Sequence, residues 1–351
     1  MTASRPFRRA LRRAFRRPLR AAALLGVACA APGCYGLSGG VVTAGTPDVV
    51  ARENVQDPTL AAAAREVEAG RGGQAFKRLV RWFREQPDRQ REDVALWLAA
   101  NALIDRGDRI RAFYYLEQLL DQHPASPLYN LAAQKQYEIA DSYLDGKGDR
   151  FLVFPVHHGD EAIEMLFRVQ LRLPGSPLAE RAVKRTADYY FDREDYDFAE
   201  DAYGVFVDRF PRSPQIATVR LKQAYSNILQ YNGPRYDPPP LLDGGTQLRQ
   251  FAAEFPQLAQ EQRIGDILRW IDEQLAEKLA ITASFYGRTS EPGARRQLLA
   301  QIVEQHPATP QADRARRILG HSPAGGAADA PATRPATTPG PAPSPAASEG
   351  P

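Results

Sequence analysis

Residues 195–214 read DYDFAEDAYGVFVDRFPRSP, and looser copies of this phrase recur five more times along the chain. Ala199, Tyr203, Phe206, Val207 and Phe210 fall at i, i+4, i+7, i+8 and i+11, the one-face spacing of an amphipathic helix, and Pro211 closes that helix. A small residue stands twelve positions before a proline at Ala75 and Pro87, Ala112 and Pro124, Ala162 and Pro174, and Ala199 and Pro211. The spacing continues with other residues at Gly244 and Pro256 and at Arg295 and Pro307. Four of these prolines sit in near-identical stops: HPASP from His123, LPGSP from Leu173, FPRSP from Phe210 and HPATP from His306.

Successive prolines are 37, 50, 37, 45 and 51 residues apart, which suits a helix-pair unit of about 34 residues with loops of varying length. The tetratricopeptide repeat fits. In the copy ending at Pro211, Val183, Ala187, Tyr190, Ala199 and Tyr203 supply its pattern of apolar and small residues. Small side chains are needed where two helices cross closely, and proline stops the second helix because it has no N–H and clashes with the preceding turn. The expected fold is all-α, a tetratricopeptide-repeat solenoid of five to six helix pairs over residues 57–320.

The 351 residues are 43% hydrophobic, enough to fill a core, and carry a formal charge of +3. That charge is unevenly placed. Residues 1–33 hold eight arginines and no acidic residue; without them 37 basic groups face 42 acidic ones, a net −5. The basic pI therefore reflects the leader, and the tally predicts no basic face to neutralise phosphates and no nucleic-acid partner.

The arginines precede AAALLGVACAAPG (residues 21–33), an apolar run too short to span a bilayer, which reads as a secretory signal. It ends on Cys34, and Ala31-Pro32-Gly33-Cys34 resembles the bacterial lipobox, in which the cysteine is acylated. Cys29 is a poorer second candidate. No cysteine follows Cys34, so there is no disulfide framework. Three acyl chains on Cys34 would exceed the two signals that stable membrane anchoring needs. Residues 34–56 read as a tether and residues 321–351, almost wholly Pro, Ala, Gly, Ser and Thr, as a tail unable to order itself.

Within the body, Asp57-Pro58 reads as a helix cap followed by a helix-starting proline. Two inserts interrupt the repeats, at 145–160 and 232–246. The first carries Phe151, Leu152, Val153, Phe154 and Val156, an extended segment that either packs back on its repeat or offers an apolar lip. The second is expected to be irregular from its prolines and glycines. His157-His158 is the one histidine pair, but adjacent residues of an extended segment point to opposite sides, so no metal is expected. The acidic run DREDYDFAED reads as a solvated helix face. Ile267, Trp270, Ile271, Leu275, Leu279 and Phe285 form an apolar stripe on a long late helix, in which Trp270 either buries or anchors an interface. An arginine-rich helix with Arg314, Arg316 and Arg317 is expected to cap the end. No phosphate loop, metal-ligand spacing or nucleophile with a histidine partner is legible, so neither a cofactor nor an enzymatic activity is expected.

Residues 57–319 resemble the BamD family of outer-membrane lipoproteins, tetratricopeptide components of the β-barrel assembly machinery. The resemblance rests on DPTLAAAAREVEAGRGGQAFKRLVRWF, on the HPASP and FPRSP stops, and on FAAEFPQLAQEQRIGDILRWIDEQLAEKLAITASFYGR. It implies a non-enzymatic scaffold, held by its lipid on the periplasmic face of the outer membrane. Its N-terminal repeats would receive unfolded barrel-protein segments, and its closing repeats (265–319) would dock on the periplasmic domains of the barrel-inserting pore. The alternative is a tetratricopeptide adaptor of another envelope complex, linked to Tol-Pal or to peptidoglycan.

Overall fold

The computed structural model describes residues 57–85, 91–146, 150–151, 154–155 and 159–320. Cys34, the leader, the stretch 34–56, His157, His158 and the tail 321–351 lie outside the described residues. Five helix pairs come first: α1 (Pro58–Glu68) with α2 (Gly72–Glu85), α3 (Glu92–Asp105) with α4 (Arg109–Gln122), α5 (Tyr129–Leu144) with α6 (Gly159–Arg172), α7 (Pro177–Asp192) with α8 (Tyr196–Arg209), and α9 (Ile216–Gln230) with α10 (Pro239–Glu254). A short α11 (Pro256–Glu261), a long α12 (Ile264–Arg288), α13 (Pro292–Gln305) and α14 (Pro310–Gly320) follow. The described residues fall into two compact units that divide within α12, after Lys278.

The fold class is the all-α, tetratricopeptide-type solenoid that the repeat phrase predicts. From α1 to α10 each helix packs on the next in sequence. The helices α2, α4, α6, α8, α10 and α13 all end two residues before a proline. The cause is local: the residue ahead of a proline is pushed out of the helical region. His123, Phe210, Phe255 and His306 accordingly share φ close to −128° with ψ between 48° and 63°.

The turns inside the pairs are equally regular. After α3 the amide of Asp108 donates to the Leu103 carbonyl and that of Gly107 to Ile104, with Gly107 at φ +81°. This is the left-handed helix closure that glycine adopts without strain. The turn after α7 has the same two bonds, Asp195 to Tyr190 and Glu194 to Phe191, but puts Glu194 in the left-handed position at φ +68°.

In the first unit, apolar side chains bury in three clusters. The first runs from Leu60 of α1 to Ala182 of α7. The second holds Val183, Ala187, Ala199, Tyr203, Phe206 and Val219. The third joins Ala224, Tyr225 and Ile228 of α9, Leu248 and Phe251 of α10 and Ile264, Ile267 and Ile271 of α12. All five positions of the opening phrase lie in or against the second cluster. Asp57 caps α1 by accepting from the amides of Thr59 and Leu60, and it also accepts from Trp82 Nε1 at 2.6 Å, which ties the start of α1 to α2.

The first insert is extended where it is described, as expected, and the expectation for the second is corrected. Within the first insert Arg150–Phe151 pairs antiparallel with Phe154–Pro155, Arg150 opposite Pro155 and Phe151 opposite Phe154. The second is not irregular throughout, because α10 begins at Pro239. Prolines in a first helical turn lose no bond, since those N–H groups have no partner within the helix. Gly244 and Gly245 are buried helix residues, and a Cβ on Gly244 would lie 2.6 Å from Ile228 Cγ1 and 2.9 Å from the Ala224 carbonyl oxygen. Glycine here does what alanine does in the other second helices.

In the second unit, residues 279–320, α13 packs on α14, with Leu299, Ile302, Ala312 and Ala315 buried. Thr309 Oγ1 donates to the His306 carbonyl at 2.8 Å and accepts from the Ala312 amide at 3.3 Å, holding the HPATP stop against the start of α14. Arg314, Arg316 and Arg317 are exposed on α14 as a solenoid end requires. Phe285 leaves the expected stripe: it is 51% exposed.

Candidate protein-binding surface

The two members of each pair present different chemistry. Among the described residues, the large apolar side chains exposed on the helices of the five pairs all lie on second helices: Tyr114 on α4, Phe167 and Leu171 on α6, Phe198 and Val205 on α8, and Leu242 on α10; Tyr236 is exposed on the α9–α10 connection. The reason is packing. Consecutive first helices touch one another, α1 with α3 and α5 with α7, in addition to their partners. On α3 eleven of fourteen residues are buried, so no broad face is left to expose.

First helices are instead joined by charge. Arg181 of α7 donates to Gln134 of α5 at 2.6 Å and lies over the Tyr137 ring at 5.1 Å. Arg185 pairs with Asp141 and Asp145. Next along, Asp188 of α7 is gripped by Lys184 and by Lys222 of α9, both at 2.6 Å, and accepts from the Tyr203 hydroxyl of α8 at 2.7 Å. Burial alone would raise the Asp188 carboxyl, but the two ammonium groups outweigh it and hold it below its ordinary value. The same contact, after burial, pushes the Tyr203 hydroxyl up, because ionising it would set a second negative charge beside the carboxylate. Lys222 also lies 5.4 Å from the Phe191 ring centroid.

Second helices are linked as well: Gln247 of α10 donates to Glu200 of α8 at 3.4 Å. Buried Glu117 of α4 takes Arg168 at 3.0 Å and Arg172 at 2.6 Å from α6, and Arg172 reaches Asp121 as well. Phe167 and Leu171, one helical turn apart, are exposed on the same helix that carries this clamp. These aromatic and aliphatic side chains next to a fixed polar rim can bind a protein segment without any chemistry on it.

Trp270, the candidate interface residue, is partly buried. It packs on the cluster of α9, α10 and α12 and meets Tyr231 edge-on, ring centroids 6.5 Å apart. Tyr231 opens the α9–α10 connection, and Lys278 secures its far side by donating to the Tyr236 carbonyl at 2.7 Å. Trp270 therefore serves the stack and shows part of its surface. The sequence reading overlooked the exposed row on the second helices. Its only signal was large residues beside the buried stripe, Tyr114 next to Phe113 and Phe167 next to Leu166. The acidic run DREDYDFAED is mostly solvated as expected, with Tyr196 and Ala199 turned inward.

Among the described residues no group of three or more His, Cys, Asp and Glu side chains is placed to hold a metal ion, and no helix is long and apolar enough to cross a membrane. The family model described as YfiO, outer membrane lipoprotein, matches residues 156–322, just under half of the chain. No curated protein matches. A solved structure that does match is the C-terminal part of a TPR repeat-containing protein from Cytophaga hutchinsonii, 13% identical, with a TM-score of 0.34 and coverage of 76% of this chain and 91% of that one.

Proposed function

We propose that this chain is a lipid-anchored scaffold on the periplasmic face of the outer membrane that takes part in the assembly and insertion of β-barrel proteins. The observation that carries the reading is the match of residues 156–322, from the end of the first insert through α14, to an outer-membrane lipoprotein family. Cys34, the last cysteine in the sequence, following an arginine-rich leader, supports it, as does a surface suited to binding extended protein segments.

In this reading Cys34 carries the acyl chains, the early pairs receive unfolded barrel segments, and the closing helices (265–319), with Trp270, hold the barrel-inserting pore. The experiment is affinity capture of the full chain from solubilised envelopes, with the pore expected in the eluate. Removing residues 265–319 is expected to lose the pore and keep the client; the opposite loss reverses the polarity. Capture of Tol-Pal or peptidoglycan-linked proteins with no pore would overturn the assembly role in favour of an envelope adaptor. Cys34→Ser is expected to release the chain from the membrane fraction.

A further inference from the structure

The charge tally predicts no basic face, yet α2 has one. Lys77, Arg81 and Arg84 recur at i, i+4 and i+7, which puts them on one stripe of the helix, and all three are exposed. Among the described residues no carboxylate pairs with any of them, whereas their neighbour Arg78 is bound to Glu66 at 2.6 Å. The stripe runs into an open cleft of about 450 Å³ lined by Arg71, Gly73, Gln74, Lys77 and Arg106, in which Lys77 belongs to both features. The Arg106 guanidinium lies 5.7 Å from the Phe76 ring centroid. No acidic side chain lines the cleft. The chain without residues 1–33, net −5, thus keeps four cations, Lys77, Arg81, Arg84 and Arg106, together on the first two described pairs, with Arg71 beside them.

We infer that this stripe and cleft dock on the anionic headgroups of a phospholipid surface, the cleft seating one phosphodiester. Charge complementarity selects an anionic partner. The exposed stripe carries no aromatic or aliphatic anchor for a peptide side chain, so it suits a surface bound by charge alone. Chain length selects the membrane. Lys77 lies 43 residues after Cys34, and the segment 34–56, which can span roughly 70 Å when extended, allows the first pair to lie against the bilayer that holds the anchor. The inference rests on the proposed anchoring for its location, but its test does not.

The test uses the chain from residue 35 onward, which keeps every described residue and omits both the leader arginines and the acylation site. Co-sedimentation is measured with vesicles of phosphatidylcholine alone and with vesicles containing about one third phosphatidylglycerol. Binding is expected only to the latter and is expected to fade as salt is raised. Each basic residue near an anionic surface is worth about fivefold in affinity. The triple variant Lys77→Gln, Arg81→Gln, Arg84→Gln should therefore bind about 100-fold more weakly. A control removing the same charge elsewhere, Arg212→Gln, Arg235→Gln, Arg249→Gln, should bind almost as the parent does, and circular dichroism checks that both variants fold. No binding of the parent, or equal loss in the control, overturns the inference. So does binding to a poly-glutamate peptide without binding to vesicles, which reassigns the stripe to an acidic protein. Failure of the pore capture above leaves these outcomes readable, since no pore is present.

Discussion

Ser213 donates its hydroxyl proton to Glu180 at 2.6 Å, across a separation of 33 residues, and Ser126 donates to Asp93 at 2.7 Å across the same separation. The serines are the fourth residues of the FPRSP and HPASP stops, and the acids stand in the first turn of the first helix of each pair. Each hydroxyl also accepts an amide, Gln215 at 3.0 Å and Leu128 at 3.1 Å. The stop is thus a clasp that closes a helix pair on itself.

Ser213→Ala should cost about 1–2 kcal/mol, since it removes a bond to a charged acceptor and leaves the Glu180 carboxylate without it. Urea denaturation of the two single variants and of Ser213→Ala with Glu180→Ala measures the coupling. A double variant whose losses merely add would remove the clasp from the account.

Asp188 gives a pH dependence. Its folded carboxyl is held below its ordinary value, burial being outweighed by Lys222 and Lys184. A depressed carboxyl contributes stability that is fully present above the unfolded value, about 3.9, and lost as pH falls through the folded value. Asp188→Asn should lower stability at pH 7 by about 2 kcal/mol, because it leaves two partly buried lysines without their shared anion. The difference between variant and parent should shrink as pH falls below the unfolded value and vanish below the folded one. Denaturation midpoints at pH 7, 5 and 3 provide the check.

Gly244→Ala should destabilise although alanine is the better helix former by about 1 kcal/mol. Its methyl would meet Ile228 and the Ala224 carbonyl, and overpacking of this kind costs about 1–3 kcal/mol. Gly73→Ala, a helical glycine with open space around its Cβ direction, is the control expected to be neutral or stabilising.

Ala199→Leu places extra methylenes in the sealed cluster of Val183, Ala187, Tyr203, Phe206 and Val219. The same range of about 1–3 kcal/mol is expected. A neutral result by chemical denaturation would mean that α8 can shift against α7 without loss.

Much of this was legible. The twelve-residue spacing to proline located six second helices, and the five apolar positions of residues 195–214 named the core of one pair. Both are local signals, set by helical period and by the missing N–H of proline. The expectation failed where a residue's meaning depends on its neighbours in space. Pro239 and Gly244 belong to loops by composition and to a helix by position, one in the first turn and one at a crossing. The clasps, the Asp188 cluster and the stripe on α2 escaped because charges close in space are summed with distant ones in any whole-chain tally.

That α1 to α10 each pack on the next helix has a consequence for how the chain acquires its structure. The longest of the hydrogen bonds and ion pairs described above, Arg172 to Glu117, spans 55 residues. Loop closure over such distances is cheap, and folding speed follows the separation of contacts more than the length of the chain. A chain emerging from its N-terminus can complete α1 to α4 before residue 129 has appeared. Each later pair then adds to a template already in place, beginning from the contact of Trp82 with Asp57 and of α2 with α3.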